Sequence, residues 1–218
     1  VEEIFGEDAA DFWILGDSAS RIKRNGTVVY ESLLENTTGL AILRELEEMQ
    51  LGHTLIACTK EAAMIKNDLS PEESAAVRRS YKKVITVADF GAIEDDFIKI
   101  TVRDMQERCI GTAEKLAAFR DRAHIVASEK AWLDITDLNV HKGSTVAHLQ
   151  ELLQVTPEET MVFGDGMNDV EMMKSGRYSF AVRNAYPIIK DTAAFTTGRS
   201  NDEDAVSHTI LQWLALQG

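Results

Sequence analysis

The sequence predicts an α/β protein whose parallel sheet is interrupted by an inserted lid-like module. Three observations favour this fold class. Helix-like and strand-like segments alternate along all 218 residues. Elements rich in hairpins give way to strict βαβ order near Asn139. The apolar run 160–163 is followed by Gly-Asp-Gly at 164–166, which is typical of a buried parallel strand that delivers polar groups into a ligand crevice.

The first 138 residues combine short strands with three helices. An Asn-Gly turn dipeptide predicts a hairpin over 21–34. A helix begins after Ser70, which is the predicted N-cap, with Pro71 at its first position and Glu73 closing a capping box. Apolar periodicity places the other elements of this part. They are strands at 12–15, 53–58, 84–87, 97–102, 124–127 and 131–135, and helices at 38–50 and 112–122.

The last third of the chain alternates between strands and helices. Its predicted elements are helices at 142–154, 186–193 and 203–216, a further helix ending near Lys174, and strands at 160–163, 178–182 and 194–197. We therefore expect a core domain formed by 1–34 together with 139–218. Residues 35–138 would form a separate α/β cap inserted into it.

Composition excludes several classes of function. The formal net charge of −13 and the pI near 4.8 argue against a nucleic-acid partner, which requires a basic face. No apolar run approaches the roughly 20 residues of a membrane span, and the N-terminus does not resemble a signal peptide, so a cytoplasmic location is expected. Cys58 and Cys109 lack a CxxC pattern and are predicted to be buried reduced thiols. The five histidines lack metal-ligand spacing, so surface or satisfied core positions are expected for them.

Asp165 and Asp169 are the first candidates for a functional site. Two carboxylates four residues apart, among glycines that allow a tight backbone turn, suit a hard cation such as Mg²⁺. The alternative is an Asx-rich turn in which Asp169 is a helix N-cap. The whole string from Gly164 to Asp169 after an apolar strand favours metal ligation. Asn168 within it can donate its amide to a phosphate oxygen or stabilise the turn.

Lys142 is the second candidate, because lysine is unfavourable for the helix dipole at a helix start. There it can present a point charge to a phosphate dianion, beside a helix N-terminus left open by Gly143 and Ser144. The alternative is a solvated lysine with Ser144 as the N-cap. Asn184 follows another strand, where it either approaches the crevice or forms a simple βα turn. Lys142 and the acidic loop together predict phosphoryl transfer.

The late part of the chain resembles the haloacid dehalogenase superfamily, specifically its Cof-like subfamily with a type IIB cap. The resemblance is carried by Lys142-Gly143-Ser144, Val162 to Asp169, Met172, Ala181-Val182, Asn184-Ala185, Lys190 and Asn201 to Val206. It implies a Rossmann-like parallel-sheet core with an inserted α/β cap, and a Mg²⁺-dependent phosphatase of small phosphorylated metabolites, with sugar phosphates expected. Asp165 and Asp169 would hold the metal. Lys142 and Asn168 would bind the phosphate, and Lys142 and Asp169 would be the catalytic residues.

The same resemblance points to a motif that the sequence lacks. In the family, the first aspartate of an Asp-x-Asp-Gly-Thr motif attacks the phosphorus, and the second protonates the leaving group. Asp17 follows an apolar run, but Ala19 stands where the second aspartate belongs, so Asp17 is not expected to be the nucleophile. We expect the chain itself to be inactive. A preceding segment or an oligomeric partner would complete its core sheet.

The runner-up function belongs to a different class. A chain with the acidic loop but without the nucleophile motif can be a catalytically dead small-molecule-binding or interaction protein derived from this family. The expected partner in either case is a small phosphate ester, with no membrane and no nucleic acid.

Overall fold

The computed structural model describes residues 6–216, apart from the side chains of residues 7 and 9. The chain forms two compact units, residues 1–140 and 141–218. The α/β class is confirmed. Within the first unit the hairpin region is bonded to the larger sheet: Ser20 Oγ donates to the Ile98 carbonyl at 2.8 Å. The grouping of 1–34 with 139–218 stays a prediction. None of the helices in residues 6–216 is long and apolar enough to cross a membrane.

Among residues 6–140 the structure forms two sheets and three α-helices. The elements are β1 Ile14–Gly16, β2 Arg21–Arg24, β3 Thr27–Glu31, α1 Asn36–Glu48, β4 Thr54–Thr59, β5 Ala63–Lys66, α2 Pro71–Ser80, β6 Val84–Val87, β7 Phe97–Arg103, α3 Cys109–Lys115, β8 Ala123–Glu129 and β9 Trp132–Asp137. Strands β1, β2 and β3 form an antiparallel sheet in that order. The larger sheet has the order β6-β5-β4-β7-β9-β8, and only β5 and β6 pair in parallel within it.

Local signals explain the elements that the sequence predicts best. Ser70 Oγ accepts from the Glu73 N–H, and the Glu73 carboxylate accepts from Ser70, so the capping box at α2 is confirmed. Asn25 and Gly26 both have positive φ, as the predicted hairpin turn requires. Strand β5 was not predicted. Its sequence Ala-Met-Ile-Lys has little strand preference, and it is extended because it pairs with β4 on one side and β6 on the other.

Apolar side chains cover both faces of the six-stranded sheet. One face packs against α1 and α3, and the other against α2. Gly39 on α1 is required there, because a Cβ at this position would overlap the fully buried Phe97 ring. Cys58 and Cys109 are both buried and free, as predicted. Burial raises the pKa of each thiol to about 11, so neither is a reactive thiolate.

A charged cluster lies beside the end of β7, where Asp104 is buried and Arg108 is partly exposed. Arg108 donates from Nε to Asp104 Oδ2 at 2.7 Å and from Nη2 to the Leu51 carbonyl at 2.6 Å. These Arg108 contacts lower the pKa of Asp104 to about 2. The His53 side chain is 2% exposed, and its Nε2 lies 3.6 Å from Asp104 Oδ2. Its Nδ1 has no hydrogen-bond partner among the described residues. Burial lowers the pKa of His53, which favours the neutral imidazole.

Acid is expected to destabilise the first unit through His53. Because its pKa is lowered on folding, the unfolded chain binds the proton more readily. This stability is therefore complete above about pH 6.5 and is lost as the pH falls from there toward the folded-state pKa. Asp104 does not contribute in that window, since its stabilisation is lost only below about pH 4. The fall in urea midpoint between about pH 7.5 and about pH 5.5 should be smaller in His53→Gln than in wild type. The partly exposed His148→Gln serves as control, and equal pH dependence in both variants would contradict the assignment.

Among residues 141–216 the elements alternate as the sequence predicts. They are α4 Lys142–Leu153, β10 Met161–Gly164, α5 Val170–Met173, β11 Tyr178–Ala181, α6 Pro187–Thr192, β12 Phe195–Thr196 and α7 Ala205–Ala215. Strands β10, β11 and β12 form a parallel sheet in that order. Parallel strands end at one edge of their sheet, so the loops after these three strands lie side by side.

Candidate functional site

Polar side chains from the three loops after the parallel strands meet in the second unit. Asp165 follows β10, Asn184 follows β11 and Asn201 follows β12. Asn201 Nδ2 donates to Asp165 Oδ2 at 3.0 Å, and Asn184 Nδ2 donates to Asn201 Oδ1 at 2.7 Å. The backbone N–H of Asn201 returns a bond to Asn184 Oδ1 at 3.1 Å. Of the two alternatives for Asn184, the structure thus favours the one in which it lies beside the acidic loop.

Asp169 organises the acidic loop from within. The residue is 2% exposed, and its Oδ2 accepts from the backbone N–H groups of Asp165 and Gly166, both at 3.0 Å. Its Oδ1 accepts from Lys142 Nζ at 2.5 Å. Both carboxylate oxygens are therefore engaged. This one side chain fixes the backbone after β10 and also holds the ammonium at the start of α4.

Lys142 occupies the first position of α4 and stays partly accessible, with its side chain 38% exposed. Besides Asp169, its Nζ lies 3.4 Å from Asn168 Oδ1. An ammonium has three N–H donors, so one remains for an external oxygen. The N-cap of α4 is His141, whose Nδ1 accepts from the Ser144 N–H at 3.1 Å. The alternative with Ser144 as the N-cap is therefore wrong.

Two glycines allow the backbone to come this close. A Cβ on Gly143 would lie 2.6 Å from the Glu171 carbonyl oxygen, so only glycine permits the contact between α4 and α5. A Cβ on Gly164 would lie 2.7 Å from the Cβ of Asp169. These contacts set the distance between the Lys142 helix and the acidic loop.

The donor set fits a hard divalent cation through Asp165. This residue is exposed, and its Oδ1 has no hydrogen-bond partner among the described residues. Within residues 6–216, no group of three or more His, Cys, Asp or Glu side chains could hold a metal by itself. Mg²⁺ typically binds through one or two carboxylates and completes its shell with water and phosphate oxygens, which a single exposed Asp165 allows. Metal ligation by Asp169 stays a prediction, and its three hydrogen bonds favour an anchoring role instead.

The structure thus brings Lys142, Asp165, Asn168 and Asp169 together, and their roles stay predictions. Asn201 was not singled out, although it lies in the loop after the third parallel strand, and that position is a usable signal. Asp17 belongs to the first unit. It follows β1, which pairs antiparallel with β2, and its Oδ2 lies 3.7 Å from Arg21 Nη1.

Comparison with known proteins agrees with this geometry. The family of haloacid dehalogenase-like hydrolases matches residues 19–210. A 5-amino-6-(5-phospho-D-ribitylamino)uracil phosphatase of Escherichia coli is 28% identical over 151 residues, which cover 68% of this chain and 55% of that protein. The chain therefore spans about half the length of this curated relative.

Solved structures share the fold at lower identity. A crystal structure of a Streptococcus mutans protein has a TM-score of 0.90 at 24% identity, covering 98% of this chain and 81% of that one. The HAD subclass IIB sugar phosphatase BT4131 has a TM-score of 0.77 at 20% identity, covering 92% of this chain and 75% of that one. Since the family match covers well over half of the residues, the chain belongs to the haloacid dehalogenase-like hydrolases.

Proposed function

We propose that this chain carries the cation- and phosphate-binding part of a Mg²⁺-dependent phosphomonoester hydrolase. Its substrates would be small phosphorylated metabolites, with sugar phosphates as the expected class. The observation that carries the proposal is that one site contains an exposed Asp165 carboxylate and a Lys142 ammonium, which is held in place by Asp169. The name of the Escherichia coli relative, which describes a phosphate on a ribityl chain, supports this substrate class.

Each side chain has a distinct role in this proposal. Asp165 would hold Mg²⁺, which when bound supplies positive charge next to the phosphate oxygens. Lys142 would direct its remaining N–H to the phosphate. Asn168 accepts from Lys142 through Oδ1, which leaves its amide N–H groups to donate to another phosphate oxygen. Asp169 would keep Lys142 oriented, so that little reorganisation is needed as charge develops in the transition state.

A second candidate function rests on one sequence observation. The 218 residues contain no Asp-x-Asp-Gly-Thr segment, which is the nucleophile motif that the family resemblance leads one to expect. A protein that binds phosphate and Mg²⁺ through these residues and hydrolyses nothing is therefore the alternative. It predicts binding without release of phosphate.

The proposal is tested by replacing Lys142 and Asp165. The test uses the gene product, meaning the protein as its host expresses it. In that protein, Lys142→Ala and Asp165→Asn should each lower the rate of Mg²⁺-dependent hydrolysis about 100-fold or more. Hydrolysis is measured as phosphate release from a panel of phosphate esters. The exposed Lys174→Ala is the matched control for loss of a lysine in this unit and should change little.

A parallel titration of the 218-residue chain with inorganic phosphate in the presence of Mg²⁺ separates the two functions. Phosphate binding that depends on Lys142, with no ester hydrolysed by the gene product, would support the binding protein. Phosphate binding that is unchanged in Lys142→Ala would remove the role assigned to this lysine in either function.

A further inference from the structure

We propose that Asn201 is a positioning residue for the Asp165 carboxylate, and that Asn184 sets the orientation of the Asn201 amide. This inference rests on the proposed function, because it takes Asp165 as the cation ligand. It adds two side chains from two other loops to the site. Neither would touch the cation, and both would act through Asp165.

The direction of the hydrogen bonds is fixed by the chemistry of the groups. A carboxylate only accepts, so the Asn201 amide must present its NH₂ to Asp165 Oδ2, at 3.0 Å. Its oxygen then faces Asn184, whose NH₂ donates to it at 2.7 Å. The Asn184 oxygen in turn accepts the Asn201 backbone N–H at 3.1 Å. Rotating either amide by half a turn would bring like groups together, so the chain of bonds has one consistent arrangement.

The loop that carries Asn201 is also held by bonds that do not involve Asp165. Arg183 donates from Nη2 to Glu203 Oε2 at 2.6 Å and from Nη1 to the Gly198 carbonyl at 3.2 Å. Its backbone N–H donates to the Arg199 carbonyl at 3.0 Å. Ser200 and Glu203 form a capping box around the turn that contains Asn201. The loops after β11 and β12 are therefore tied together, and the position of Asn201 is set before any cation binds.

This arrangement determines how Asp165 can meet a cation. Oδ2 is occupied by the Asn201 amide, whereas Oδ1 has no hydrogen-bond partner among the described residues. The carboxylate thus offers one oxygen in one orientation. Without Asn201, an exposed side chain could rotate about χ1 and χ2, and binding would have to restrict that freedom. Loss of such outer-shell partners typically lowers metal affinity about 10- to 100-fold.

The test uses the 218-residue chain and Mg²⁺ alone as the probe. The melting temperature rises with the logarithm of one plus the ratio of the Mg²⁺ concentration to Kd, so the Mg²⁺ concentration needed for a given rise scales with Kd and reports affinity even when binding is weak. Asn201→Ala should raise this concentration about tenfold. Asn184→Ala should raise it less, because its effect passes through Asn201. The exposed Asn67→Ala, whose side chain makes no hydrogen bond to the described residues, is the matched control.

The double variant gives the decisive comparison. If Asn184 acts only through Asn201, then Asn184→Ala combined with Asn201→Ala should match Asn201→Ala alone, whereas independent effects would multiply. Unchanged Mg²⁺ affinity in Asn201→Ala, multiplying effects, or no Mg²⁺ binding by the wild-type chain would each overturn the inference. Should Asn201→Ala fail to fold, a wild-type affinity in Asn184→Ala would overturn it as well.

Measuring ester hydrolysis beside Mg²⁺ affinity distinguishes failure of this inference from failure of the proposed function. Weakened Mg²⁺ binding in Asn201→Ala supports the positioning role whether or not the gene product hydrolyses an ester. Conversely, if the gene product hydrolyses esters but Asn201→Ala leaves its Mg²⁺ affinity unchanged, the proposed function stands and this inference is wrong.

Discussion

Asp169→Ala is expected to abolish Mg²⁺-dependent phosphate binding and to lower the free energy of unfolding of the second unit by roughly 2–4 kcal/mol. The variant leaves the backbone N–H groups of Asp165 and Gly166 without their acceptor, beside a buried position. It also frees the Lys142 ammonium, which regains some hydration because its side chain is partly exposed. The acidic loop and Lys142 both lose the side chain that holds them. We therefore expect the variant to lose more free energy of phosphate binding than free energy of unfolding.

Urea unfolding and phosphate titration measure the two effects. The exposed Asp191→Ala also removes an aspartate from the second unit and should change stability by no more than about 0.5 kcal/mol. Asp169→Asn should have a stability and a phosphate affinity between those of Asp169→Ala and Asp191→Ala. An amide keeps one acceptor oxygen but cannot accept from Lys142 with its NH₂ group. If Asp169→Ala were as stable as Asp191→Ala and bound phosphate normally, the anchoring role would be wrong.

The parts of the fold that sequence predicted are those set by local signals. The capping box at Ser70 and the Asn-Gly hairpin need only a few neighbouring residues, and both are confirmed. The parallel strand before Gly164 was predictable because an apolar run followed by small and acidic residues has few other interpretations. Strand β5 was missed because its extended conformation depends on two neighbouring strands and not on its own residues.

In the candidate site, too, the sequence predicted what local signals determine and missed what tertiary contacts determine. The sequence pointed to Lys142, Asp165 and Asp169, since residue type and spacing are visible there. It did not show that Asp169 has both oxygens engaged, because that depends on where α4 approaches the loop. The bond from Asn201 to Asp165 joins residues 36 positions apart and requires the register of three parallel strands. The His141 cap was missed because histidine is not among the residues usually preferred at an N-cap.

The 218-residue chain itself is expected to release no phosphate from any ester, with or without Mg²⁺. Nucleophilic catalysis of this kind needs a carboxylate free to attack the phosphorus. Asp165 is the proposed cation ligand, and the Asp169 oxygens already accept from Lys142 and two backbone N–H groups. Asp17 follows a strand of the antiparallel sheet in the first unit, and its Oδ2 lies 3.7 Å from Arg21 Nη1.

The measurement is phosphate release from a generic ester by the purified chain, compared with Asp17→Ala. Both proteins should give only the background rate. Asp17 begins a run of three residues with positive φ, namely Asp17, Ser18 and Ala19. Such backbone strain often occurs at functional sites, so Asp17 is the candidate that most needs this direct test. Robust turnover that Asp17→Ala abolishes would make Asp17 the nucleophile. Turnover that survives in Asp17→Ala would instead point to Asp165 or Asp169 and would contradict the roles assigned to them, whereas background rates in both proteins fit a chain that binds the phosphate without attacking it.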